Sequence, residues 1–217
     1  MENLVEVNSF PNLGYLRYKF TKSELEPIRQ EVEKIKNNFS SSLPHNKDLA
    51  GQILNEYKLV DTVDYVARLM LPLVATYDEQ FGGYVNQSLL AFGRDSQKKE
   101  VRIQNVWVNF QGKHEFNPIH SHLGVLSFVI WLDIPYDISS ELNESPGVKS
   151  NHNLAGHFNF HIINTLGEVK SLSIPADSSY ENQAIIFPAL MRHSVSPFYS
   201  SENYRVSVAG NFEIVIT

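Results

Sequence analysis

The second half of the chain is a series of short apolar segments separated by turn residues, and this pattern most limits the possible fold. Turn signals such as Ser145-Pro146-Gly147 and Ser200-Ser201 divide the segments, and no helical pattern lies between them. The predicted strands are 101–110, 125–134, 157–163, 169–174, 183–188 and 204–216. A succession of strands without intervening helices is typical of antiparallel β-structure, so the sequence predicts a β-sandwich or barrel.

The first hundred residues have a different character, because helical patterns dominate there. Thr21 and Glu24 have the spacing of a helix capping box. In the second helical segment we expect Leu49, Ile53 and Leu54 to face inward. The predicted elements are a strand over 13–20 and helices over 21–39, 46–59 and 61–82.

We see no linker that would divide the chain, so we expect one domain over 1–217. In this interpretation a mostly helical part, 1–99, packs against a β core, 100–217. The class is mainly β with N-terminal helices.

Composition excludes several classes of protein. The net charge of −6 argues against nucleic acid as the main partner. The chain has no cysteine, which excludes disulfides, thiolate metal sites and thiol nucleophiles. The opening residues, "MENLVEVNSF", do not resemble a secretory signal, and no apolar run is long enough to span a membrane. We therefore expect a cytoplasmic protein with no membrane partner.

Two histidines stand at the start of the most apolar predicted strand, in "HSHLG". Side chains alternate along a strand, so His120 and His122 point to the same side, roughly 6–7 Å apart. Two imidazoles so placed can bind one metal ion, although histidines at a strand end can equally be solvated. His193, just after the strand at 183–188, is the candidate for a third ligand.

The last strand carries an arginine where an apolar residue is expected. Arg205 and Ser207 share one face, and valines occupy the other. An inward arginine requires an anionic partner, and its planar guanidinium suits a carboxylate.

These residues, taken in order, resemble the iron(II)- and 2-oxoglutarate-dependent oxygenases. The similarity is to a branch found in marine bacteria and T4-like phages, which has an H-x-H motif and is prolyl-hydroxylase-like. It covers roughly residues 100 to 212. The motifs are Trp107-x-Asn109, His120-x-His122, Leu126-Ser127, Phe187-Pro188, His193-x-Val195-x-Pro197 and Arg205-x-Ser207.

The resemblance implies a double-stranded β-helix, the jelly-roll fold shared with cupins. It implies that Fe(II) is held by His120, His122 and His193, and that 2-oxoglutarate is anchored by Arg205 and Ser207. The implied reaction is hydroxylation of a peptide or small molecule, with release of succinate and CO2. If the chain is phage-encoded, the implied location is the cytoplasm of a bacterial host.

One motif departs from the superfamily, which uses two histidines and one carboxylate. His122 stands where the aspartate of H-x-D is expected. The site is then one charge more positive, which favours other divalent metals in a purified sample. Glu115, in a loop, is the carboxylate that can complete the usual triad by folding back; Asp133 lies too far along its strand.

The sequence leaves some site residues undecided. Asn105 and Asn109 share a strand face, and we expect at least one of them to line the pocket that binds the co-substrate. Arg192 is a second candidate for the carboxylate anchor, and His157 and His161 are further candidates for metal ligands.

Two further functional classes are compatible with the sequence. One is a cupin-like protein with three histidines on its metal that does not use 2-oxoglutarate. The second is a jelly-roll module that has a binding or structural role and no catalytic activity. Arg205 and Ser207 favour the oxygenase over the cupin-like protein, whereas the three histidines favour the cupin-like protein over most of the oxygenase superfamily. A module without catalysis explains neither the histidines nor an inward arginine.

Overall fold

The computed structural model describes residues 13–90 and 99–216. The N-terminal segment on which the leader prediction depends lies outside these residues. The strands are β1 (Leu16–Lys19), β2 (Asn55–Lys58), β3 (Lys99–Gln111), β4 (Asn117–His120), β5 (Leu126–Asp133), β6 (Phe158–Ile163), β7 (Val169–Ile174), β8 (Gln183–Pro188), β9 (Arg192–Val195) and β10 (Arg205–Ile216). The helices are α1 (Lys22–Asn37), α2 (Val63–Gln80), α3 (Tyr84–Leu90) and α4 (Ile138–Glu144).

The strands form two antiparallel sheets. The large sheet has the order β1-β8-β5-β10-β3-β2, and the small sheet has the order β4-β9-β6-β7. Buried side chains of β5 and β8 meet those of β6 between the two sheets, among them Trp131, Phe187 and Phe160. The predicted mainly β architecture is confirmed.

The large sheet is buried on both faces, and residue parity decides which face each side chain occupies. On β10, Val206, Val208 and Phe212 belong to the core under the helices. Arg205 and Ser207 point the other way, into the space between the sheets. The strand therefore presents a polar pair to the interior while its apolar residues hold the helices.

Helices α1 and α2 cover the outer face of the large sheet. Leu25 and Ile28 of α1, and Val66 and Met70 of α2, are fully buried against it. None of the helices in the described residues combines the length and apolarity needed to cross a bilayer.

The predicted capping box at the start of α1 is confirmed. The Thr21 N–H donates to Glu24 Oε2 at 2.8 Å, and the Glu24 N–H donates to Thr21 Oγ1 at 3.3 Å. These two bonds satisfy backbone donors that a helix terminus otherwise leaves unpaired.

A buried carboxylate joins α1 to the turn that precedes α2. Glu31 accepts the backbone N–H groups of Val60, Asp61 and Thr62 at 2.7, 2.9 and 2.8 Å. It also accepts the Thr62 hydroxyl at 2.5 Å. Glu31 is 6% exposed, so its removal leaves several buried donors without a partner.

The prediction of a helix over 46–59 is wrong. The segment contains a 3-10 turn at Asn46–Asp48, an extended stretch and then β2, which pairs with β3. Leu54, predicted inward, is 77% exposed, whereas Ile53 is 5% exposed. The apolar spacing imitates a helical face, but the backbone hydrogen bonds offered by the exposed edge of β3 decide the conformation. The first 99 residues therefore supply two strands of the large sheet, β1 and β2, as well as helices.

We expect Glu31→Ala to lower the free energy of unfolding by about 3 kcal/mol, because buried N–H donors lose their acceptor. Urea denaturation followed by circular dichroism measures the change. Glu33→Ala, on the exposed side of the same helix, is the matched control and should change stability by about 0.5 kcal/mol or less. A loss for Glu31→Ala no larger than that of the control would contradict the role of Glu31 as a link.

Candidate metal centre and adjoining cavity

Strand pairing brings three histidines together at one end of the small sheet. His120 ends β4 and lies directly opposite His193 of β9. His122 follows two residues later, where its backbone N–H donates to the Ala189 carbonyl at 2.8 Å. One ring nitrogen from each histidine lies within 4.8 Å of the others, a separation that a single divalent ion can bridge.

Backbone carbonyls fix the tautomers of two of these rings. His120 Nδ1 lies 2.7 Å from the Pro118 carbonyl oxygen, and His193 Nδ1 lies 3.0 Å from that of Met191. Because a carbonyl only accepts, each Nδ1 carries the proton and each Nε2 offers a lone pair. Such outer hydrogen bonds orient metal-binding histidines.

Burial keeps the three imidazoles neutral. His193 is 4% exposed, and burial holds its pKa well below the usual range, with the nearby His120 adding to the effect. Burial, followed by repulsion from His120, lowers the pKa of His122 to about 4. Burial also lowers the pKa of His120. Neutral imidazole is the form that binds metal, so the cluster can accept a cation at neutral pH without first losing protons.

Within the described residues, no carboxylate joins the histidine cluster. Glu115, the carboxylate considered as third ligand, accepts the backbone N–H groups of Leu54 and Gly112 at 3.0 and 2.7 Å. Asp133 is paired with Arg29 at 2.9 Å. Among the described residues, the group able to hold a metal consists of the three histidines alone.

Three more residues that the sequence offers as ligands or anchor lie away from the histidine cluster. His157 Nδ1 bonds to the Ala155 carbonyl at 2.9 Å, and His161 Nε2 lies 2.8 Å from the Ser194 hydroxyl. Arg192 is exposed on β9. A cavity between the two sheets adjoins the histidine cluster, and none of these three side chains lines it.

Arg205 lines that cavity and forms no ion pair with an acidic side chain of the described residues. It is 3% exposed. Its guanidinium donates to Gln111 Oε1 at 3.1 and 2.5 Å, to the Tyr136 hydroxyl at 2.7 Å and to the Gly156 carbonyl at 3.0 Å. These bonds use four of the five N–H groups, so one remains for a ligand.

A chain of hydrogen bonds positions Ser207 beside Arg205. Trp107 Nε1 donates to Asn109 Oδ1 at 3.0 Å, and Asn109 Nδ2 donates to Ser207 Oγ at 3.3 Å. Asn109 lines the cavity as Ser207 does. The structure places Asn105 outside the lining, where it accepts a 3.1 Å bond from Asn211.

The cavity connects the histidine cluster to the arginine. Its empty volume is about 640 Å³, including the part open to solvent. Apolar walls are formed by Trp131 and Phe187 together with Trp107. The polar lining includes His120, His122, His193, Asn109, Arg205 and Ser207.

A jelly roll with a histidine cluster at one end of its cavity is an arrangement that suits a metal-dependent enzyme. Residues 105–211 match the family model described as "Putative 2OG-Fe(II) oxygenase". Over this segment, just under half of the chain, the sequence matches the 2-oxoglutarate- and Fe(II)-dependent oxygenases, and the prediction of an enzyme of this kind is confirmed. No curated protein matches the chain in sequence.

Solved structures agree with this fold. A Pseudomonas putida prolyl-4-hydroxylase has a TM-score of 0.53 at 12% identity, covering 93% of this chain and 92% of that one. A Trichoplax adhaerens prolyl hydroxylase, in complex with a hypoxia inducible factor peptide fragment, has a TM-score of 0.53 at 10% identity, covering 94% and 83%. HygX from Streptomyces hygroscopicus, with nickel, 2-oxoglutarate and hygromycin B bound, has a TM-score of 0.51 at 13% identity, covering 93% and 83%. The predicted jelly-roll fold is confirmed, whereas membership of the phage branch stays a prediction.

We expect His120→Ala and His193→Ala each to abolish stoichiometric binding of Fe(II), because two imidazoles hold the ion far less tightly than three. Anaerobic dialysis followed by metal analysis measures the bound iron. His161→Ala, on the neighbouring strand, is the control and should retain the metal. Full occupancy in both His120→Ala and His193→Ala would move the site away from this cluster.

The third ligand calls for a separate test, because His122 stands where the superfamily has a carboxylate. We expect His122→Asp to retain Fe(II) and His122→Ala to weaken its binding by about ten-fold or more. Titration of each variant with Fe(II) under anaerobic conditions provides the comparison. Affinity within a few-fold of wild type in His122→Ala would show that His122 is not a ligand.

Proposed function

We propose that this chain oxidises a C–H bond of a peptide or small molecule, coupled to conversion of 2-oxoglutarate to succinate and CO2. The observation that carries the proposal is the arrangement of the cavity. A neutral three-histidine cluster lies at one side, and a buried arginine without an acidic partner among the described residues lies at the other. A dianion that chelates a metal at one end and pairs with a guanidinium at the other suits this arrangement.

In this proposal the three histidines are the metal ligands. His120, His122 and His193 hold Fe(II), and the carbonyls of Pro118 and Met191 keep two of the rings oriented. When bound, the iron and 2-oxoglutarate together supply the oxidising chemistry.

The protein anchors the far end of the co-substrate. Arg205 uses its remaining N–H to bind the distal carboxylate, and its positive charge neutralises that group in a buried environment. Ser207 adds a hydroxyl donor, because its oxygen accepts the Asn109 amide and leaves the hydroxyl hydrogen free to point elsewhere. Gln111 and Tyr136 hold the guanidinium in position.

The apolar walls limit the contact of water with the reacting groups. Trp131 and Phe187 are each 2% exposed, and Trp107 is 4% exposed. Walls of this kind strengthen the charge pair at Arg205 and protect reactive species from side reactions.

The substrate class is supported by analogy alone. One structural neighbour carries a peptide and another carries hygromycin B. By this analogy, the substrate of this chain is a peptide or a small metabolite. We place the reaction in the cytoplasm, of a bacterial host if the gene is a phage gene.

Two measurements test the reaction class. Anaerobic addition of Fe(II) and 2-oxoglutarate should give a weak charge-transfer band in visible light, and aeration should then release succinate. A sample that binds metal but gives neither signal belongs to the cupin-like class without 2-oxoglutarate, which the three-histidine set also fits. A purified sample containing zinc or nickel must first be stripped of metal, because a fully neutral ligand set tolerates other divalent ions.

We expect Arg205→Ala to weaken 2-oxoglutarate binding by about 2–5 kcal/mol, at least roughly thirty-fold, because a desolvated charge pair loses one partner. Arg205→Lys should fall between wild type and alanine, since lysine keeps the charge but lacks the planar fork that Gln111 and Tyr136 hold in position. Titration of 2-oxoglutarate into the iron-loaded variants measures both. Arg192→Ala is the control; a loss there with unchanged affinity in Arg205→Ala would reverse the assignment.

A further inference from the structure

Two buried oxygen acceptors in the wall of the metal cavity lack a hydrogen-bond partner within the described residues. They are Glu56 Oε1 and Asn117 Oδ1. Both residues line the cavity that holds the histidine cluster, and Glu56 is 0% exposed. A buried acceptor without a donor costs free energy, so this pair requires an explanation.

The two oxygens lie close together beside Gly51. A Cβ atom at residue 51 would come within 2.2 Å of Asn117 Oδ1 and 2.8 Å of Glu56 Oε1. The oxygens are therefore at most 5.0 Å apart, the sum of those two distances. A single group with several N–H donors can bond to both.

An extended segment, residues 49–54, closes this side of the cavity, and we call it the strap. Its Gln52 N–H donates to the Phe116 carbonyl at 2.8 Å, and its Leu54 N–H donates to Glu115 at 3.0 Å. The strap lines the cavity with Leu49, Ala50, Gly51 and Ile53. These residues are apolar or glycine, so the strap encloses the two oxygens without offering them a side-chain donor.

Glu56 belongs to the same row of inward residues as the co-substrate anchor. Its partner across the β2–β3 pair is Asn109, whose partner across the β3–β10 pair is Ser207. Neighbouring strands lie about 4.8 Å apart, so Glu56 stands two strand spacings, roughly 10 Å, from Ser207. A substrate bound at Glu56 would therefore lie beside bound 2-oxoglutarate within the same cavity.

The surroundings of Glu56 disfavour its charged form unless a cation is bound beside it. Burial, with a further contribution from Glu115, raises the pKa of Glu56 to about 7. Asn46 Nδ2 donates to the other carboxylate oxygen, Oε2, at 3.4 Å and also donates to the Ile53 carbonyl at 2.8 Å. Across the cavity stand Arg205 and the neutral histidine cluster, and Arg205 is directed to Gln111 and Tyr136. No cationic side chain is paired with Glu56 in the described part of the chain.

From these contacts we infer that Glu56 and Asn117 form a substrate-binding subsite for a cationic nitrogen group, either a primary ammonium or a guanidinium. The inference rests on the proposed function, since it assigns the substrate class of that same cavity. Glu56 supplies the charge, Asn117 supplies the second acceptor, and Gly51 keeps the space between them open. The subsite would orient a basic peptide side chain or a polyamine-like metabolite, with a neighbouring carbon presented to the metal centre.

The test uses two probes of the same shape and different charge, methylguanidinium and methylurea. Each is titrated calorimetrically into the full chain loaded with Fe(II) and 2-oxoglutarate under anaerobic conditions. We expect methylguanidinium to bind about ten-fold or more tightly than methylurea, because only the cation pairs with the buried carboxylate. Glu56→Gln should abolish this preference, and Asn117→Ala should weaken methylguanidinium binding several-fold. Glu26→Gln, exposed on α1, is the matched control and should keep the preference.

A stability measurement separates a binding role from a structural one. The pKa of Glu56 is raised on folding, so its ionisation disfavours the folded state as the pH rises from about 4.5 through about 7. Without ligand, Glu56→Gln should therefore melt at a higher temperature than wild type at about pH 8 and should lose most of that advantage at about pH 5. A structural carboxylate would give the opposite result, a variant that is less stable at about pH 8.

Three results would overturn the inference: equal affinity for the two probes, a preference that survives Glu56→Gln, or no binding of methylguanidinium. Failure of the proposed function has a different signature. If 2-oxoglutarate does not bind while the iron-loaded chain still prefers methylguanidinium in a manner that depends on Glu56, the reaction class is wrong and the subsite stands.

Discussion

The alternation of side chains along β5, β10 and the part of β3 over 105–111 is the constraint on which the rest of the structure depends. These central strands are buried on both faces, so a shift of register by one residue would exchange the two faces. The apolar side chains on one face of the sheet, such as Val208 and Phe110, belong to the core that packs under α1 and α2. Side chains on the opposite face, including Arg205, Ser207 and Asn109, line the cavity. Packing against the helices thus fixes the register that places the polar residues opposite the histidine cluster.

The sequence predicts the parts of the fold and site that this alternation governs. The segments that form β5 and β10 are long and apolar, and the parity of Arg205 and Ser207 follows directly from their spacing of two. His120 and His122 stand out because they interrupt the approach to an apolar strand. Motif order indicates that His193 lies near them, but its position opposite His120 depends on the register of β4 and β9, which are four residues each. Strands so short carry no measurable periodicity, and the sequence predicts neither of them.

The remainder depends on contacts between distant parts of the chain. Residues 46–59 have helical spacing, yet the free edge of β3 captures β2. The helical spacing conceals Glu56, because a glutamate on a predicted helix is ordinarily solvated. Its neighbour Tyr57 is also buried, so even the strand lacks the alternation that would reveal it. Asn117 becomes notable only when the strap is seen to enclose it.

The pairing of β3 with β10 has a consequence for how the protein matures. Asn109 and Ser207 are hydrogen-bonded although 98 residues separate them in the chain. Sheets closed by such distant partners fold slowly, because the intervening chain must be ordered before the contact is gained. The three histidines meet only once β4 and β9 have joined, so a nascent chain has no assembled centre to load with iron. Metal binding at this cluster would then follow folding and stabilise its product by mass action. The metal would therefore hold the sheets together once they have formed and would not guide the pairing of their strands.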